Sequence, residues 1–229
     1  MSEREDLEAA AETFIERAAA PPGELYYTLL FTPPDRRELV GAAFTFRTEV
    51  FRAVADGTSP EVAGTRLAWW GEEVARVSRA APRHPLTRLL LARAGQPPQA
   101  LAGLLAEVVG AAQARCLAPL PSAPEALEHR LAHDWGAVCR LVARGLDDED
   151  GRVDGEDWLE PWARGLGLAR GFAEVASEDG DWDRIAGWLA DAAGRVPARA
   201  LPAQRPLVVL AAFEARHLRS KGASRSRPG

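Results

Sequence analysis

The stretch from Ala42 to Trp70, AAFTFRTEVFRAVADGTSPEVAGTRLAWW, constrains the fold of this chain more than any other. Leu39, Val40, Ala43, Phe44, Arg47, Val50, Phe51 and Val54 recur at steps of three and four residues, and all but Arg47 are apolar, so one side of a helix is greasy. Thr32 before Pro33-Pro34 predicts the N-cap of that helix, with proline in the first turn where its missing N–H is harmless. The helix is expected to run to about Val54 and to end at Asp56-Gly57. Ser59-Pro60-Glu61 then starts a second helix, with a hydroxyl cap, a proline at the first helical position and an acid at the positive dipole end. Val62, Leu67, Trp70, Val74 and Val77 form its apolar side.

The same punctuation continues on both sides. Residues 3 to about 19 carry Leu7, Ala10, Ala11, Phe14 and Ile15 at helical spacing before Pro21-Pro22-Gly23, and a short piece from Glu24 to Phe31 follows. Beyond Arg83-His84-Pro85 comes a helix with Leu86, Leu89, Leu90 and Leu91. Pro97-Pro98 opens another, through Leu101, Leu104, Leu105, Val108 and Val109 to about Leu117. After the proline-rich joint Pro119 to Pro124, a long helix from Ala123 to Leu146 carries Leu127, Leu131, Trp135, Val138 and Leu141 on one side. The acidic run Asp147 to Gly151 breaks it as a solvated loop. Further helices are expected over about Glu156–Ala176, Trp182–Ala193 and Pro202–Arg219. Seven to nine helices, no strand pattern and short loops predict an all-α, single-domain bundle over residues 1–220, most neighbours antiparallel, with 221–229 as a disordered tail.

Charge and cysteine usage narrow the function classes. Lys and Arg total 28 against 33 Asp and Glu, a net charge of −5 with no basic stripe, which argues against nucleic-acid binding. Cys116 and Cys139 have no CxxC spacing and read as small buried or half-buried residues in a reducing compartment. The acidic start SEREDLEAAAETF lacks the apolar region of a secretory signal, and no run approaches the ~18 apolar residues that span a bilayer. A cytoplasmic protein is expected, with room for peripheral membrane contact.

The order of features between Tyr26 and Leu90 resembles the squalene/phytoene synthase family. Tyr26-Tyr27 precedes a proline-containing helix start; Ala43-Phe44-Thr45-Phe46-Arg47, Arg66-Leu67-Ala68-Trp69-Trp70 and His84-Pro85 follow in the family's order. Trp135-Gly136-Ala137-Val138-Cys139-Arg140-Leu141 is similar to the family's glycine-containing mid-helix, and Leu166-Gly167-Leu168-Ala169 to the start of its second active-site helix. The resemblance covers roughly residues 24–217 and implies the isoprenoid-synthase fold, with helices around a central cavity.

In active members the first of these helices carries aspartates at DxxxD-type spacing. Carboxylates four apart share a helix face, and facing pairs hold the Mg²⁺ that neutralises a diphosphate leaving group. Counted from Arg47, those positions fall on Val50, Phe51 and Val54, all apolar; Glu49 is the one acid nearby and has no second carboxylate three or four residues away. For the second motif the resemblance implies acids near Glu174 and Glu178, whose i, i+4 spacing could bridge one metal, but the helix end running into Ser177-Glu178-Asp179-Gly180-Asp181 reads rather as a solvated charge run. The tyrosine- and proline-rich segment that would follow is absent. A branch of the family that has lost the aspartates but kept the tryptophans includes a mitochondrial factor needed to assemble respiratory complex I, and this chain resembles that branch.

Other constellations are weaker. His129 and His133 lie four apart beside Asp134, but no glutamate occupies the HExxH position, and His84 and His217 have no set place. Ser59 is explained as a cap, and no GxSxG elbow, P-loop or GxGxxG follows a strand. Gly165-Leu166-Gly167 suggests close helix packing. Of the adjacent Trp69 and Trp70, about 100° apart on a helix, one is expected in the core and the other at a cavity mouth or on the surface.

These residues together predict a non-catalytic family member that binds a protein partner or an isoprenoid-type lipid. Arg47, Val50, Phe51, Val54, Trp69 and Trp70 are the candidate cavity or partner residues, with no catalytic residue, cofactor or metal. The competing assignments are a divergent Mg²⁺-dependent prenyltransferase using Glu174 and Glu178, and a carrier of apolar ligands.

Overall fold

Proline and glycine divide the chain into helices, and the helices form where the periodicity predicts them. The structure, a computed structural model, describes residues 3–21, 23–55, 57–118, 120–121, 123–146 and 159–175, with residues 187, 190, 194, 196, 204, 206–208 and 210. Among the described residues every regular element is helical. They are α1 (Glu3–Ala18), α2 (Glu24–Leu30), a 3₁₀ turn (Pro34–Arg36), α3 (Arg37–Arg52), α4 (Pro60–Ser78), α5 (Pro85–Arg93), α6 (Pro98–Leu117), α7 (Pro124–Leu146) and α8 (Leu159–Val175). The chain divides into two compact units, Met1–Pro121 and Ser122–Gly229, at the proline-rich joint.

The first unit is built around α3, which packs against α1, α2, α5 and α6, while α4 lies along α6. Every α3 residue from Leu39 to Arg47 is buried. A helix covered all round needs small residues where neighbours cross, and Gly41, Ala42 and Ala43 supply them; a Cβ at Gly41 would stand 2.7 Å from Ile15 Cγ2 on α1.

Two local expectations fail at the ends of α3. Thr32 does not cap the helix: its hydroxyl donates to the Thr28 carbonyl at 2.8 Å, so the side chain closes α2 and a 3₁₀ turn carries the chain into α3. A threonine at a helix end has both options, and back-bonding to the residue four earlier wins here because Thr32 is itself buried. At the other end α3 stops at Arg52, two residues short of Val54, and turns through Ala55 lead to Gly57 at φ +83°. Ser59 caps α4 as expected, accepting from the Val62 N–H.

By length and composition α6 is apolar enough to cross a membrane, contrary to the expectation that no run comes close. In this fold Leu101, Leu104, Leu105, Val108 and Val109 are buried, so the helix serves as core against α4 and α3.

In the second unit α7 and α8 run antiparallel. Gly167 meets Trp135 and Gly136, Gly171 meets Leu131, and Glu160 pairs with Arg140. Gly167 is thus the close-packing glycine the sequence suggests: a Cβ there would lie 3.2 Å from Trp135 Cβ. Trp135, Leu141, Trp162 and Leu166 fill the interface, and the guanidinium of Arg170 lies 4.5 Å over the Trp135 ring. Cys116 is half-buried and Cys139 buried, and the two form no disulfide. Within the two last expected helices Gly187, Ala190, Pro206, Leu207, Val208 and Leu210 are helical, as is Gly194 one residue past the expected end of the first. Gln204, inside the second, is a turn; the rest of those helices, the acidic run Asp147–Gly151 and the tail 221–229 lie outside the described residues.

The crossing gives a paired test. A Cβ at Gly171 would sit 2.7 Å from Leu131 Cβ, an atom fixed to its backbone, whereas one at Gly103 on α6 meets nothing within 4 Å. Gly171→Ala is expected to lower unfolding stability by about 1–3 kcal/mol, and Gly103→Ala to raise it by about 0.5–1 kcal/mol, in chemical denaturation.

Candidate functional site

The turn between α4 and α5 is organised by a residue the sequence reading passed over. Glu73 lies one turn beyond Trp70, on the stripe with Leu67, Val74 and Val77, and its side chain is fully buried. A buried carboxylate needs donors on every side. Glu73 receives them from the Arg83 N–H (2.7 Å), the His84 N–H (2.8 Å), the Thr87 hydroxyl (2.6 Å) and Arg76 Nε (2.9 Å). Burial opposes its charge, but the bonds from Thr87, the His84 N–H, Arg76 and the Arg83 N–H outweigh it and hold the carboxyl below its ordinary 4.5. The detectable signal was an acid inside an otherwise apolar stripe.

Glu73 thereby fixes His84. The His84 Nδ1 accepts the Leu86 N–H at 3.2 Å and caps α5, with Pro85 at the first helical position. Its ring stands 5.0 Å from Trp70, 5.9 Å from Trp69 and 5.2 Å from Phe14. Trp70 in turn meets Phe46 of α3 edge-on at 5.1 Å. The Arg-Leu-Ala-Trp-Trp and His-Pro features thus form one aromatic cluster joining α1, α3, α4 and α5. Trp70 is its buried member and Trp69, 42% exposed, its surface member, as their 100° offset requires.

The candidate residues on α3 divide between two sides. Arg47 is buried with its guanidinium 4.1 Å over the Phe51 ring, Val50 is fully buried, and Phe51 and Val54 are half-buried. On the opposite side, Glu49 accepts from Arg17 of α1 (3.1 Å) and Arg52 (2.8 Å). A groove of about 420 Å³ opens there between α3 and α4, lined by Glu49, Arg52, Ala53, Thr65, Arg66, Trp69 and Trp70. A second groove of about 440 Å³ has an acidic rim of Glu12, Glu16 and Glu38 over Ile15, Leu29 and Leu89.

The Mg²⁺ that the resemblance implies does not fit the first motif. Its positions carry Val50, Phe51 and Val54, and the neighbouring acid, Glu49, is already satisfied by two guanidinium groups. The Glu174 backbone belongs to α8, but its side chain and the whole of Glu178 lie outside the described residues. His129 and His133 are exposed, and Asp134 pairs with Arg130 at 3.2 Å. Among the described residues no group of three metal-ligating side chains comes together.

A sequence model of squalene/phytoene synthase matches residues 23–184, more than half of the chain. The chain belongs to the squalene/phytoene synthase family, whose all-α fold it shares. No curated protein and no solved structure matches it.

Two outcomes test the cluster. Glu73→Gln keeps the shape but gives up the charge that four donors address, and is expected to cost about 2–4 kcal/mol in denaturant unfolding. His84 supplies a pH signature. Burial pushes its imidazole below the ordinary 6.5, against the pull of the Glu73 and Glu49 charges. The folded state therefore binds fewer protons than the unfolded one, so the contribution of His84 is complete above 6.5 and is lost as pH falls through the folded-state value. Glu73, also lowered, adds a second loss as pH drops below 4.5. His84→Asn keeps a capping acceptor and does not titrate, so its stability profile is expected to be flatter just below 6.5.

Proposed function

We propose that this member of the squalene/phytoene synthase family works by binding, with a partner protein or an isoprenoid-type lipid as its ligand, and carries out no prenyl transfer. One observation carries the proposal. Glu49, the acid beside the apolar positions Val50, Phe51 and Val54, is held between Arg17 and Arg52. Removing a diphosphate from an allylic carbon requires Mg²⁺ on free carboxylate oxygens; the motif positions offer none, and Glu49, on the other side of α3, has none to spare. The retained Arg47 and Trp70 serve packing: Arg47 covers Phe51, and Trp70 joins α4 to α3.

The protein is then a cytoplasmic pseudoenzyme. The aspartate-poor branch that it resembles points to respiratory-complex assembly as its setting.

Incubation with farnesyl or geranylgeranyl diphosphate and Mg²⁺ is expected to release no pyrophosphate above a protein-free control. Native mass spectrometry after gentle purification is expected to retain an added mass, either a protein partner or a lipid. Turnover that disappears in Glu174→Ala would overturn the proposal in favour of a divergent Mg²⁺-dependent transferase.

A further inference from the structure

We propose, resting on the binding role above, that the α3–α4 groove docks an acidic segment of a partner protein. The partner's carboxylates meet Arg52 and Arg66, and an apolar partner side chain lies against Trp69. The groove is on the opposite side of α3 from Arg47 and Phe51.

Charge selects the partner class. Arg52 and Arg66 line the groove with a single acid, Glu49, which is also paired with Arg17 of α1, so the groove is locally basic on a chain whose net charge is −5. Glu49 is the most enclosed member, its side chain 16% exposed against 54% for Arg17 and 51% for Arg52. One shared carboxylate therefore orders two guanidinium groups while leaving outward N–H donors on both. Arg66 is exposed and makes no hydrogen bond or ion pair among the described residues, so its full fork is available. Guanidinium groups in this state suit bidentate carboxylates, and their pull on an acidic partner weakens with salt.

Trp69 supplies the apolar contact. Its ring is held edge-on by Trp70 at 4.9 Å and flanked by His84 at 5.9 Å, so presenting it costs little further ordering. Thr65 turns its hydroxyl back to the Glu61 carbonyl at 2.9 Å, which removes a competing polar group from the groove. Tryptophan and arginine around a recess are the composition of an interface hot spot. A recess of about 420 Å³ accepts inserted side chains, which a flat bilayer surface does not provide.

The test selects displayed random short peptides on the full-length protein, with measured affinities for the recovered sequences. Arg66→Glu and Trp69→Ala alter exposed side chains, and melting curves check that both variants fold. Recovered peptides are expected to pair Asp or Glu with a neighbouring large apolar residue. Their affinity is expected to fall about tenfold or more in each variant and to weaken with added salt. No enrichment, neutral or basic winners, or binding indifferent to both variants would overturn the proposal. Cosedimentation with phosphatidylglycerol vesicles that is lost in Arg66→Glu would also overturn it, assigning the groove to a membrane surface. If selection fails while farnesyl diphosphate stays intact, the docking site falls and the binding role stands. Pyrophosphate release would remove the binding role whatever the peptides do.

Discussion

The buried carboxylate of Glu73 is the interaction on which the first unit depends. An ionised group taken out of water costs several kcal/mol unless donors replace its hydration. Glu73 recovers that cost by gathering two consecutive backbone N–H groups, a hydroxyl and an arginine from the turn ahead of it. Those N–H groups would otherwise be orphans beside the start of α5. The same contacts bring His84 against Trp70 and Phe14, and Trp70 against Phe46. One charge thereby sets the direction of α5, and α5 packs on α3 and α1. Family features that are separate along the chain, a tryptophan pair and a His-Pro, thus become parts of one structural joint.

Helix α3 is held by packing along its first half and divides into two unlike faces along its second. Its N-terminal half is covered on all sides, so those positions are held by packing regardless of any reaction. Its C-terminal half has two faces. One carries Val50 and the Arg47–Phe51 stack. The other carries Glu49 with its two arginines beside an exposed tryptophan. Glu49 thus orders two cations on the side of the helix opposite its Arg47–Phe51 stack.

The legible parts of the fold were those decided within a few residues. Ser59 caps α4, Pro85 and Pro98 stand at first helical positions, and Gly57 takes the left-handed turn after α3, because each depends on local backbone geometry. Thr32 misled because its hydroxyl had two local acceptor arrangements, and burial beneath α2 chose between them. In the site, the core-and-surface split of Trp70 and Trp69 followed from helix pitch, and Val50 fell in the core as its stripe required. The clamp on Glu49 did not follow, because Arg17 lies 32 residues away on α1 and nothing in its own neighbourhood marks it.

By itself the sequence determined the helical class, the helix starts, the family and the apolar character of Val50, Phe51 and Val54. Each is a matter of residue type at a spacing, which a helix converts directly into a face. Only tertiary structure decided that Glu73 is an internal anchor, that Glu49 is neutralised by two arginines, and that Trp69 stands over an open groove. Those outcomes depend on which side chains from distant helices reach the same few ångströms. A charge shows its role only when its partners and its distance from water are known.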